Sequence, residues 1–162
     1  MIDLQDVRYV RLRYPDIEAA IDFACKVVGL ELVRREQGCA YFRSDSKDHT
    51  LVYFEGDPRD HTLAFEVARG DVLDAAGAEL ERAGMAVHEG SAEECELRRV
   101  KRFIRFRDLT GNAIELVWRP HASGRRYFRR GMRASPASAM SACARPTRRV
   151  TSASGPRSAT HG

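Results

Sequence analysis

The strongest constraint on this chain is a hydrophobic pattern that runs once and then restarts. Val7 to Arg13 alternates with period two, as expected of a strand with one buried face. Asp16 stands where a helix N-cap belongs. Ile17, Ala20, Ile21, Ala24 and Val28 then form a helical stripe, and Gly29 is a natural stop. Three strands follow, at Leu30 to Arg35, Cys39 to Arg43 and Thr50 to Phe54. Gln37-Gly38 marks a turn between the first two, and Asp45 to Asp48 a polar loop before the third. Thr62 to Val67 begins the pattern again. Asp71 reads as a second N-cap, Val72, Ala76, Leu80 and Ala83 as a second stripe, and Gly84 as its end. Met85 to His88 reads as a short strand. Lys101 to Phe106 and Ala113 to Trp118 are two more, joined by the hairpin Asp108-Leu109-Thr110-Gly111-Asn112. A unit of this length needs a neighbour to bury its face. The expectation is an α+β fold of two βαβββ modules, about 3–56 and 61–119, in one domain spanning 1–120. Its sheet should be open, curved and antiparallel, with the helices outside.

Composition enters where the pattern stops. Nine of the 27 basic residues, all arginine, and none of the 23 acidic ones lie beyond Pro120, so the preceding body carries a net charge of −5. The basic balance of the whole chain therefore belongs to the tail, and nucleic acid is not expected as a partner of the body. Only Tyr127 and Phe128 interleave with the tail arginines. Beyond Phe128 there is no leucine or isoleucine, and Arg, Ala, Ser, Pro and Gly dominate. Such text cannot offset its ordering entropy, so 121–162 reads as a linker-like start followed by a disordered tail. Out-of-frame translation of GC-rich DNA would produce this composition, and the other reading frames beyond the Phe128 codon would test that origin.

Cys25, Cys39, Cys95 and Cys143 show no Cys-x-x-Cys spacing and read as reduced thiols. No apolar run approaches the roughly 18 residues of a membrane span. No basic-then-apolar leader opens the chain, so the cytoplasm is the expected compartment. There is no nucleophile elbow, phosphate-cradling glycine loop or zinc knuckle.

Three stretches resemble the vicinal-oxygen-chelate fold of glyoxalases, bleomycin-resistance proteins and extradiol dioxygenases. They are Tyr9 to Asp16 with its helix and Val28-Gly29-Leu30; Leu63 to Val67 with its helix and Ala83 to Val87; and Phe106-Arg107-Asp108-Leu109-Thr110-Gly111-Asn112-Ala113-Ile114-Glu115-Leu116. The last is the most specific, resembling the family's F-x-D-P-x-G-N-x-I/L-E-L hairpin with Leu109 in place of proline. The resemblance covers about residues 3–120 and implies a vicinal-oxygen-chelate domain.

In metal-binding members of that family a histidine opens the first strand of each module and a glutamate lies in the last strand. Two imidazoles and a carboxylate with open positions suit Fe(II). Here those positions carry Tyr9, Thr62 and Glu115, so only Glu115 matches. His61 is adjacent, but a one-residue offset turns its side chain to the other face. Glu115 and His61 are therefore weak metal candidates, and no intact metal, catalytic or cofactor-binding set is expected. Two-domain extradiol dioxygenases resemble a duplicated module whose N-terminal copy has lost its metal while the C-terminal copy keeps Fe(II). A tyrosine at the first position and the Arg98-Arg99-Val100-Lys101 approach resemble that N-terminal copy. Trp118 to Phe128 stands where a linker to a catalytic domain would begin. The implied function is the non-catalytic N-terminal domain of an oxidoreductase that cleaves catechol-type aromatics, truncated and inactive alone. The alternative is a metal-free protein of the bleomycin-resistance kind, a homodimer holding a small aromatic ligand.

Overall fold

The computed structural model describes residues 2–36 and 38–124. Gln37 of the expected turn, the arginine-rich text from 125 onward, Cys143 and the expected tail disorder lie outside the described residues.

Strand β1 spans Leu4–Tyr14 and helix α1 spans Ile17–Phe23. Asp16 caps α1, accepting from the Ala19 amide at 3.0 Å. The helix then widens into a π-helical turn, Ala24–Val28, which stops at Gly29 with φ of 80°. The wider turn rotates the residues that follow, so Val28 leaves the expected stripe and is exposed while Ala24 stays buried. Strands β2 (Glu31–Glu36), β3 (Cys39–Arg43) and β4 (Leu51–Glu55) complete the first module. The second contains β5 (His61–Val67), α2 (Gly70–Arg82), β6 (His88–Glu89), α3 (Ala92–Arg98), β7 (Val100–Arg107) and β8 (Ala113–Pro120).

The fold is α+β, as expected, with one eight-stranded sheet in the order β2-β3-β4-β1-β5-β8-β7-β6. The sheet is mixed rather than antiparallel. In each module the meander after the helix returns its last strand to lie parallel beside its first, β4 on β1 and β8 on β5. The modules meet through antiparallel pairing of β1 with β5. Both long helices cover one face. Ile21 and Ala24 pack on Ala40 and Phe42, and Leu73, Ala76 and Leu80 pack on Val67, Ile104 and Leu116.

Three local expectations change. Arg69, not Asp71, is the N-cap of α2; Asp71 lies in the first turn and pairs with Arg69 at 2.7 Å. The strand expected at Met85 to His88 shrinks to His88–Glu89 on the sheet edge. Gly90 follows it flat against Phe103, where a Cβ would come within 2.0 Å of the ring. Helix α3 stands between β6 and β7, where no helix was expected. A capping box starts it, with Ser91 accepting from the Glu94 amide and Glu94 accepting from the Ser91 amide.

Helix α3 lies on the face away from α1 and α2. Its Cys95 joins Tyr9, Ala64, Val100, Phe103 and Val117 in a separate core. The chain after β8 is tied back to this body. His121 N donates to Arg99 O at 2.8 Å, and Ala122 bridges to Lys47.

Candidate functional site

Register brings the expected positions onto one face. Tyr9 on β1 is opposite Ala64 on β5, which is opposite Glu115 on β8. Thr62, two residues from Ala64, points to the same side and is buried. His61 is not brought in. It pairs in register with Leu12, is exposed, and its Nδ1 lies 3.2 Å from Arg59 O.

Glu115 is wholly buried. The Tyr9 hydroxyl donates to its Oε2 at 2.7 Å. From α3, Arg98 donates through Nε to both carboxylate oxygens at 3.0 Å and through Nη2 to Oε1 at 2.8 Å. Arg98 also donates to Glu94 O and lies 4.2 Å over the Phe103 ring. Burial pushes the Tyr9 phenol well above its ordinary value, and the Glu115 charge adds to it. Burial alone would lower Arg98, but its hydrogen bonds and attraction to Glu115 outweigh that and raise it.

This donor set does not fit Fe(II). Both Glu115 oxygens already accept charge-assisted hydrogen bonds, and a fixed guanidinium sits where a cation would approach. A phenol and a threonine hydroxyl replace the neutral imidazoles that suit iron. What the arrangement brings together is a carboxylate, a guanidinium and a phenol that satisfy one another in the buried interior.

A second polar cluster adjoins this one. His49, 1% exposed, stacks on Tyr9 with centroids 5.1 Å apart and meets Tyr41 edge-on at 5.3 Å. Its Nδ1 lies 2.9 Å from Asp48 Oδ2, and Arg34 Nη1 donates to the same oxygen at 2.6 Å. Burial holds His49 below the ordinary histidine value. Burial alone would raise Asp48, but His49 and Arg34 drive it far below the usual carboxylate range. Tyr41 reaches across to α3, donating to Leu97 O at 2.9 Å.

Sequence reasoning missed both Arg98 as the partner of Glu115 and the role of His49. The Ser91-x-x-Glu94 spacing was a usable signal for α3, and it would have set Arg98 one turn after Cys95 on the buried side. Nothing in the local pattern marks His49, whose burial comes from strands that meet only in the fold.

Three comparisons bear on this geometry. The profile of the Glyoxalase/Bleomycin resistance protein/Dioxygenase superfamily matches residues 7–116. The chain is 31% identical over 116 residues to the iron-dependent extradiol dioxygenase of Rhodococcus jostii (strain RHA1), covering 70% of this chain and 39% of that protein. Among solved structures it is similar to a catechol 2,3-dioxygenase, with 25% identity, a TM-score of 0.67, and coverage of 74% of this chain and 43% of that one. The fold is also shared with a halotolerant catechol dioxygenase, at a TM-score of 0.70, 21% identity, and coverage of 76% and 42%. The chain thus spans well under half the length of these relatives. No helix of the described residues is long and apolar enough to cross a membrane.

Proposed function

The chain belongs to the glyoxalase/bleomycin resistance protein/dioxygenase superfamily, and from that premise we propose that it is a non-catalytic amino-terminal module of an extradiol ring-cleaving dioxygenase. It acts in the cytoplasm, in the breakdown of catechol-type aromatics, beside a second module that holds the Fe(II). By itself it has no ring-cleaving activity. One observation carries the reading: the carboxylate at the family's third ligand position is locked by Arg98 and Tyr9 in a buried triad. The likeness to an iron-dependent extradiol dioxygenase supports the assignment within the superfamily. The position of α3 favours this reading over a metal-free ligand-binding protein. Cys95 and Arg98 pack into the face on which such a ligand would rest.

Iron analysis after anaerobic loading with Fe(II), followed by a catechol ring-cleavage assay, tests it. The expected result is neither stoichiometric iron nor cleavage. One iron per chain, lost in Glu115→Ala, would overturn the proposal.

A further inference from the structure

Among the described residues, Arg11 is a buried cation without a counter-charge. It is 8% exposed, and its Nη1 has no hydrogen-bond partner among them. Each of the other buried arginines has a hydrogen-bonded partner. Arg98 meets Glu115, Arg43 meets Glu31, and Arg8 donates to the neutral carbonyl of His121 at 2.8 Å. Arg34 meets Asp48 and Glu36. Arg11 makes no ion pair among the described residues; its guanidinium lies 5.0 Å over the Phe54 ring. A cation–π contact offsets only part of the cost of taking a charge out of water.

A second unpartnered donor lies on the same face of the sheet. On the face that carries α3 runs the cross-strand row Arg11, Val52, Tyr41, Arg34, one residue from each of β1, β4, β3 and β2. Val52 and Tyr41 are wholly buried between the two arginines. At the far end Arg34 lies 3.8 Å over the Tyr41 ring, and its Nη2 is also buried and unpartnered among the described residues. Both guanidinium charges act on the Tyr41 phenol that stands between them. His49 walls the same place, edge-on to Tyr41.

We propose that a small anion, of chloride or formate size, binds inside the domain between Arg11 and Arg34, against Val52 and Tyr41. An ordered water would satisfy the orphaned N–H groups but leave the Arg11 charge unbalanced. An anion satisfies both. One unpaired cation calls for a single negative charge, which a halide or one carboxylate group supplies. The proposal is independent of the dioxygenase reading, since it uses no residue at a family ligand position.

The full chain is exchanged into sodium gluconate and then titrated with chloride, or separately with formate, at constant ionic strength. The melting temperature should climb with the logarithm of anion concentration, by about 5 °C at about ten times Kd, as expected for a ligand that binds only the folded state. In Arg11→Met the rise should vanish. In Arg34→Gln the titration should shift to about tenfold higher anion, the loss of one charged hydrogen bond. Line broadening of chloride-35 resonance by the wild-type chain, relieved by formate, gives a second readout that needs no folded Arg11 variant. No rise in melting temperature together with no relief of broadening overturns the proposal and leaves water in the site. An equal rise in wild type and Arg34→Gln overturns it too, since it would report general screening.

Discussion

At the residue scale, Glu115 with Arg98 is the contact on which the open face depends. A buried pair adds little net stability over apolar residues of the same shape, but breaking it strands a charge. Arg98→Leu is expected to cost about 3–5 kcal/mol in denaturant unfolding. Adding Glu115→Leu should return most of that loss, giving a coupling of about 2 kcal/mol or more. Additive costs would show that the two groups do not act as a unit. The neighbouring cluster sets the response to acid. The Asp48 pKa in the fold lies below its ordinary 3.8, so its contribution is complete above that value and fades as pH falls below it. The His49 pKa lies below 6.5, so from that pH downward the unfolded chain takes up a proton that the fold resists. Both act in one direction. The melting temperature should hold near neutrality, decline below about pH 6.5, and steepen below about pH 4. In His49→Phe the shallow upper limb should flatten, while in Asp48→Asn the steep lower limb should weaken.

Elements were legible where one face alone decides the pattern. The stripe of α1, its Asp16 cap, the β7–β8 hairpin and the restart at β5 follow from period and punctuation. The turn at the tip shows how far such reading reaches. Gly111 N donates to Asp108 O at 2.9 Å, and Asp108 gathers the Thr110 and Asn112 amides, so Leu109 occupies the position before the corner and is almost fully exposed. Proline suits that position. Leu109→Pro should therefore stabilise the chain by about 0.4–1 kcal/mol by narrowing the unfolded ensemble, read as a higher midpoint in urea at unchanged slope. A lower midpoint would mean that the Leu109 backbone is not already shaped for proline. What stayed hidden has a different physics. Helix α3 is short and buries few residues, so its stripe is faint beside its cap. The parallel pairings β1–β4 and β5–β8 are invisible in local periodicity, because alternation fixes a face and not a neighbour. Tyr9, Thr62 and Glu115 could be grouped through the family resemblance, yet the guanidinium that meets Glu115 comes from the element that was not read.

At the scale of the whole molecule, the exposed apolar residues are unevenly placed. Phe23, Val27 and Val28 are all more than half exposed within a few residues at the end of α1. Such a concentration favours association, and a symmetric pair covers it with a copy of itself. Sedimentation at micromolar concentration should show a dimer, reduced toward monomer by Val27→Glu; a wild-type monomer would show that these side chains tolerate water singly. The strand order carries a further consequence. Residues 4–55 supply a complete half-sheet, β2-β3-β4-β1, before any of the second module has left the ribosome. During that interval the inner edge of β1 offers its backbone donors and acceptors to any passing strand. The nascent chain is thus most prone to pairing with a stranger during the interval between the emergence of β1 and the arrival of His61 to Val67, and slow decoding between those points would lengthen the exposure.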